Sequence, residues 1–144
     1  MILVEKIFTL IDQALQSDII QMVILGVVMD TVFGLFRAIR QRKLNSSFGI
    51  DGAVRKISML ASISFLVILD SIAEINFIGF LPDEIREVLG TKIGSAEFFG
   101  IIYLAFECVS ILKNMAFCGL PVKGVWQKVR DFLGKYTDEL PDNE

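Results

Sequence analysis

The chain has 144 residues, 53% of them hydrophobic, and a mean hydropathy of +0.61, with the apolar residues in long blocks rather than in alternation. The formal charge of −3 excludes little, because acidic and basic residues are segregated along the chain. The absence of His excludes the commonest general base and metal ligand, and the spacing of Cys108 and Cys118 matches no zinc or redox motif. Both cysteines read as small apolar residues of a helix, and the sequence calls for no cofactor.

Residues 1–18 are expected to form an amphipathic N-terminal helix. Glu5, Lys6, Thr9, Asp12, Gln13 and Gln16 recur at helical spacing, while Ile2, Leu3, Ile7, Leu10, Ala14 and Leu15 fall largely on the other side. Such a helix either lies on a membrane surface or packs on the rest of the protein. Glu5 interrupts the start and no A-x-A site follows, so an uncleaved span is expected rather than a signal peptide. Asp18 followed by Gln21 resembles a capping box opening the first apolar run, 19–36. Within that run Gly26, Asp30 and Gly34 step by four along one face, continued by Ala38. Small residues at this spacing let another helix approach closely, and the acid favours a protein-facing surface.

Residues 37–56 are basic and polar. Arg37, Arg40, Arg42, Lys43, Arg55 and Lys56 face a single acid, Asp51, and Asn45, Ser46, Ser47, Gly49 and Gly52 supply turn chemistry. A short loop of this charge stays in the cytoplasm, so these six cations are the expected topology-setting residues. Asp51 is the expected N-cap of a second span, 57–80, in which Ser58, Ser62, Leu66, Asp70 and Glu74 step along one face. Pro82 opens a brief acidic helix closed by Gly90, in a loop whose lack of basic excess suits the opposite side. The third span, 96–112, follows Ser95 as N-cap. Its Gly100, Tyr103, Glu107, Ser110 and Asn114 are spaced 3, 4, 3, 4, which is a helical seam. Residues 121–144 are expected to form a cytoplasmic amphipathic helix and an acidic tail. Val122, Val125, Trp126, Val129, Phe132, Leu133 and Tyr136 make its stripe, and Lys123, Lys128, Arg130 and Lys135 lie off it, as suits an anionic leaflet.

The expected fold class is therefore an all-α membrane protein: three transmembrane helices with amphipathic N- and C-terminal helices, N-terminus outside and C-terminus inside. Each block is long enough, or nearly so, to cross about 30 Å of hydrocarbon. A soluble bundle is the alternative, but three such blocks over-fill the core of so short a chain. Asp30, Asp70 and Glu107 stand out, since a charged Asp at the centre of a span costs roughly 2.5–3.5 kcal/mol. They are expected to be buried against other helices, kept neutral, or open to a wet cavity. Two compatible roles follow: interhelical hydrogen bonding, and a polar seam that lines a pore in an oligomer. Gly26, Asp30, Gly34, Ser62, Asp70, Gly100, Tyr103, Glu107, Ser110 and Asn114 are the candidate packing or pore-lining residues. No nucleophile with an adjacent base and no phosphate-binding glycine motif is present, so no catalytic or metal residue is named. The basic loop is explained by a membrane flank without nucleic acid.

The loop RKLNSSFGIDGAVRK, the run EFFGIIYLAFECVSILKNMAFCGLPV and the late YTDEL resemble the toxin-secretion/phage-lysis holin family, and within it the members of clostridial large-toxin loci, over roughly residues 30–140. The resemblance implies a small protein that forms homo-oligomers in the bacterial cytoplasmic membrane and permeabilises it, releasing a large toxin or an endolysin, a cell-wall hydrolase. It supplies no catalytic residue. Two rivals stay open: an ion- or proton-coupled small membrane transporter that uses the acids as relay groups, and a non-pore membrane adaptor that recruits partners through the basic loop and tail.

Overall fold

A computed structural model of the chain describes residues 2–42, 46–90 and 92–136. Their regular structure is helical: α1 (Ile2–Leu15), α2 (Asp18–Gln41), α3 (Ser46–Ala73), α4 (Asp83–Leu89), α5 (Ser95–Phe117) and α6 (Lys123–Leu133). Lys43, Asn45 and the acidic tail over 137–144 lie outside the described residues.

Local chemistry sets the helix ends. Ser17, in an extended conformation, is the N-cap of α2. The expected Asp18–Gln21 box does not form, because Gln21 Nε2 instead donates to Leu15 O at 2.7 Å. Arg42 closes α2 in the left-handed region, φ 51°, with its N–H on the carbonyls of Ala38 and Ile39.

The helix expected over 57–80 runs instead from Ser46 to Ala73. It takes in Arg55 and Lys56, and it places Asp51 in its interior rather than at its N-cap. Gly49 and Gly52 each cost a helix only about 1 kcal/mol, which does not break one that continues into a packed span. At the other end Glu74 turns the chain at φ 48°. Asn76 Oδ1 then accepts from Ile78 N at 3.2 Å and Ile93 N at 3.3 Å, and Phe77 stacks on Phe98 with centroids 4.7 Å apart. The apolar residues after Ala73 therefore fold into a turn against the start of α5. Pro82 and Gly90, φ 102°, bound α4. Gly94, not Ser95, is the N-cap of α5.

The pairing of α2 with α5 forms the spine of the bundle. Ile19, Gly26 and Gly34 on α2 meet Gly100, Glu107 and Asn114 on α5 in the same order, so the two helices run parallel. The register of α3 is the reverse: Lys56 reaches Asp30 and Glu107, Ser62 reaches Tyr103, and Asp70 reaches Ser95. Two parallel helices joined through an antiparallel one is the connectivity of a three-span membrane protein. The apolar core is small: Ile20, Val23, Ile63 and Ala96, flanked by Ala14, Ile24, Leu66, Val67, Tyr103 and Leu104.

Beside this apolar core the bundle buries polar and charged side chains, and it exposes large apolar ones. Asp30, Ser95, Glu107 and Asn114 are buried, whereas Leu25, Phe65 and Phe106 are 60%, 64% and 68% exposed. A water-soluble domain distributes these residues the other way round. In lipid the arrangement is the stable one, since every polar group must find a protein partner and apolar surface has nothing to hide from. Three helices, α2, α5 and residues 49–73 of α3, are long and apolar enough to cross a bilayer. The chain is an all-α membrane protein. Its amphipathic helices sit at opposite ends: α1 at the Asp70 end and α6 at the Arg40 end.

Candidate functional site

Buried acids on parallel helices have to be brought close enough to share a counter-ion. Gly26 makes this approach possible. A Cβ there would lie 3.3 Å from Glu107 Cβ, a backbone-proximal atom that cannot swing aside. Asp30, one turn further along α2, is 5% exposed, and Glu107 is fully buried. Lys56 of α3 enters between them, with Nζ 2.7 Å from Asp30 Oδ2 and 2.7 Å from Glu107 Oε2. Arg55 stands further out, 56% exposed, with Nη2 3.7 Å from Asp30 and 3.8 Å from Glu107 Oε1. Two carboxylates thus meet two cations, which removes the net charge that would make burial prohibitive.

Polar contacts extend this cluster toward the basic end. Asn114 Nδ2 donates to Asp30 Oδ1 at 2.8 Å, and Arg37 Nη1 donates to Asn114 Oδ1 at 3.5 Å. The Arg37 guanidinium lies 4.3 Å from the centre of the Phe117 ring and donates through Nε to Gln41 at 3.3 Å. Beyond it, Arg40 donates to the Cys118 carbonyl. Its guanidinium occupies the space a side chain at Gly119 would need, and Gly119 also has φ 85°.

Two further clasps hold α3 to α5. Ser62 Oγ and Tyr103 Oη are 2.8 Å apart. Because Ser62 also donates to Met59 O, also at 2.8 Å, its single hydroxyl hydrogen is used and Tyr103 is the donor. Asp70 accepts from Ser95 N at 2.9 Å and Ser95 Oγ at 2.6 Å through one oxygen, and from Ala96 N at 2.9 Å through the other. A residue of one helix thus caps another, with its carboxylate at the positive end of the α5 dipole. Gly94 leaves room for it, since a Cβ there would lie 2.6 Å from Asp70 Oδ2.

The candidate residues therefore divide into separate groups. Asp30 and Glu107 come together around Lys56 with Gly26 beside Glu107, Asn114 is bonded to Asp30 and Gly34 lies against Asn114; Ser62 and Tyr103 pair halfway along; Asp70 caps α5 at the far end; Gly100 packs on Ile19; and Ser110 is half-buried on α5. All these contacts lie within one chain. Among the topology-setting residues, Arg37 and Arg40 belong to the last turns of α2, Arg42 is its C-cap, and Arg55 and Lys56 are helical. Sequence reasoning missed Lys56 as the central cation. The available signal is that two acids at matching positions on the first and third spans require a counter-ion, and Lys56 adjoins the second span.

The bacteriophage holin family matches the chain over residues 7–136. The holin-like protein TcdE of Clostridioides difficile is 46% identical over 123 residues, covering 84% of this chain and 74% of that protein. No solved structure matches.

Proposed function

The chain belongs to the bacteriophage holin family, and from that premise we propose that it permeabilises the bacterial cytoplasmic membrane as a homo-oligomer to release a large protein toxin. The proposed orientation has the N-terminus outside and the C-terminus inside. A toxin is preferred to a cell-wall hydrolase as cargo because of the likeness to TcdE and to members of toxin loci.

The observation that carries the mechanism is the self-contained polar seam. Lys56 pairs with both Asp30 and Glu107 within the protomer, Asn114 donates to Asp30, and the remaining Glu107 oxygen, buried without a hydrogen bond, faces Arg55 at 3.8 Å, so a single copy keeps this charge off its lipid-facing apolar surface. Copies can then accumulate without opening the bilayer. In the proposed opening step α3 moves away from the α2–α5 pair. Lys56, Asp30, Glu107, Ser62 and Tyr103 then exchange contacts within the chain for water and for the same groups of neighbouring copies. Such an exchange is nearly balanced when polar groups keep partners throughout, and crowding of protomers tips it.

The test is release from liposomes that contain this chain alone and entrap a small dye together with labelled proteins of graded size. The expected result is simultaneous release of dye and protein above a threshold protein-to-lipid ratio. Saturable flux of a small solute with protein retained would establish the transporter reading instead. Intact liposomes at every ratio would establish the adaptor.

A further inference from the structure

We propose that the exposed edge of α6 is a binding surface for anionic phospholipid headgroups of the membrane that α5 spans. The proposal rests on the bilayer embedding of the chain and is independent of permeabilisation. Only half of the apolar arc of α6 is used by the bundle. Trp126 is buried at 7% exposure, and Val122, Val129 and Leu133 are half-buried beside it. Val125, Phe132 and Tyr136 are turned away, 55%, 60% and 76% exposed, and the last two rings are in contact with centroids 5.3 Å apart.

Lys128 follows Val125 by three residues within α6, and Lys135, in the turn that continues the helix with its N–H on Phe132 O at 3.3 Å, follows Phe132 by three, so both lysines flank this strip. Both lysines are exposed. Over 123–136 the cations are Lys123, Lys128, Arg130 and Lys135 against the single acid Asp131, which lies on the polar side of both bordering lysines. The position of α6 is fixed. It follows the end of α5 through a short turn held by the Arg40 contact to Cys118 O, so it lies where a membrane span meets water. An apolar strip at that depth, bordered by ammonium groups, matches acyl chains beneath a layer of phosphates.

The helix at the other end supplies an internal contrast. α1 also leaves an apolar strip free, Val4, Phe8, Ile11 and Leu15, at 54%, 68%, 40% and 46% exposure. Its polar side carries Glu5 and Asp12 with Lys6, so it has no excess of cations for an anionic lipid.

The test is amide hydrogen exchange on the full chain in nanodiscs, one protomer per disc, made of phosphatidylcholine alone or with about 30% phosphatidylglycerol. Exchange over 123–136 is expected to slow on the order of tenfold in the anionic discs, the gain shrinking in high salt, while α1 exchanges alike in both. Lys128→Glu with Lys135→Glu should abolish the difference, with Trp126 emission unchanged in neutral discs to show that α6 stays docked. Equal exchange of α6 in the two lipids overturns the proposal. So does a lipid difference that survives the double charge reversal. Protection that instead rises with protein concentration in neutral detergent assigns the strip to a second copy, and it also overturns the proposal.

Discussion

Lys56 is the residue on which the charged seam depends. With Nζ 2.7 Å from both Asp30 and Glu107, it neutralises two buried carboxylates that Arg55 reaches only at 3.7 and 3.8 Å. Lys56→Met keeps the length and apolar stem but leaves both acids without their near counter-ion. The expected loss is about 3–5 kcal/mol of bundle stability, the usual consequence of removing one partner of a buried pair. Glu107→Gln should cost less, because its amide oxygen still accepts from Lys56 while Asp30 balances the charge. Glu107→Leu should fall between them. Combining Lys56→Met with Asp30→Asn and Glu107→Gln should restore much of the loss, since the buried charges then disappear together. Reversible unfolding in detergent, followed by circular dichroism, gives the order. A Lys56→Met protein as stable as the parent would show that the ion pairs contribute nothing. The acids of this site are legible in the sequence because a carboxylate inside an apolar run has few innocent explanations. Lys56 is not, because a basic flank already has one, and its partners lie 26 and 51 residues away.

Among the elements, α2 and α5 illustrate what a small-residue face means and what it leaves open. Spacing alone identifies Gly26, Asp30 and Gly34 as a surface for close approach, but it does not say whether the approaching helix belongs to the same chain. Here α5 of the same chain fills it, so substitutions should act on the protomer before they act on any oligomer. At Gly26 a Cβ would stand 3.3 Å from Glu107 Cβ, whereas at Gly34 the nearest atom is Asn114 Nδ2 at an ordinary 3.6 Å. Gly26→Leu is therefore expected to push the helices apart and cost about 1–3 kcal/mol by overpacking, while Gly34→Ala is tolerated. Limited proteolysis of monomer in detergent measures this directly. A Gly26→Leu monomer that resists protease like the parent, yet fails to crosslink in membranes, would move this face to the contact between copies. Helix ends are less legible in the sequence than helix faces. Hydropathy reports where a helix leaves hydrocarbon, so it sets the start of the second span at residue 57 although the backbone of α3 is helical from Ser46. The same measure carried the second span past Ala73, because residues 77–81 are largely apolar. Asn76 overrides that signal by binding two backbone N–H groups and folding the segment back.

At the scale of the whole molecule, charge is distributed by end. Arg37, Arg40, Arg42, Arg55, Lys56 and the basic α6 gather where α2 and α5 finish, while Glu74, Asp83, Glu84 and Glu87, with Arg86 and Lys92, occupy the other end. The parallel α2–α5 pair concentrates this difference, since the C-terminal flanks of both helices and the start of α3 share one side. Retention of short basic segments in the cytoplasm then predicts one orientation for the entire bundle. To measure it, Cys108 and Cys118 are replaced by Ser, and single cysteines are placed at Glu84 in α4 and at Gln127 in α6, both exposed. Expression is held below the level that depolarises the cells. A membrane-impermeant maleimide should label Glu84→Cys in intact cells and Gln127→Cys only after the membrane is opened by detergent. Labelling of both in intact, polarised cells would mean that the spans do not cross as three, despite their length. Labelling of Gln127→Cys alone would invert the bundle, placing its basic end outside against the rule that motivates the assignment. The seam of Lys56, Asp30 and Glu107 would then open from the outer face, and the trigger for release would have to be sought there.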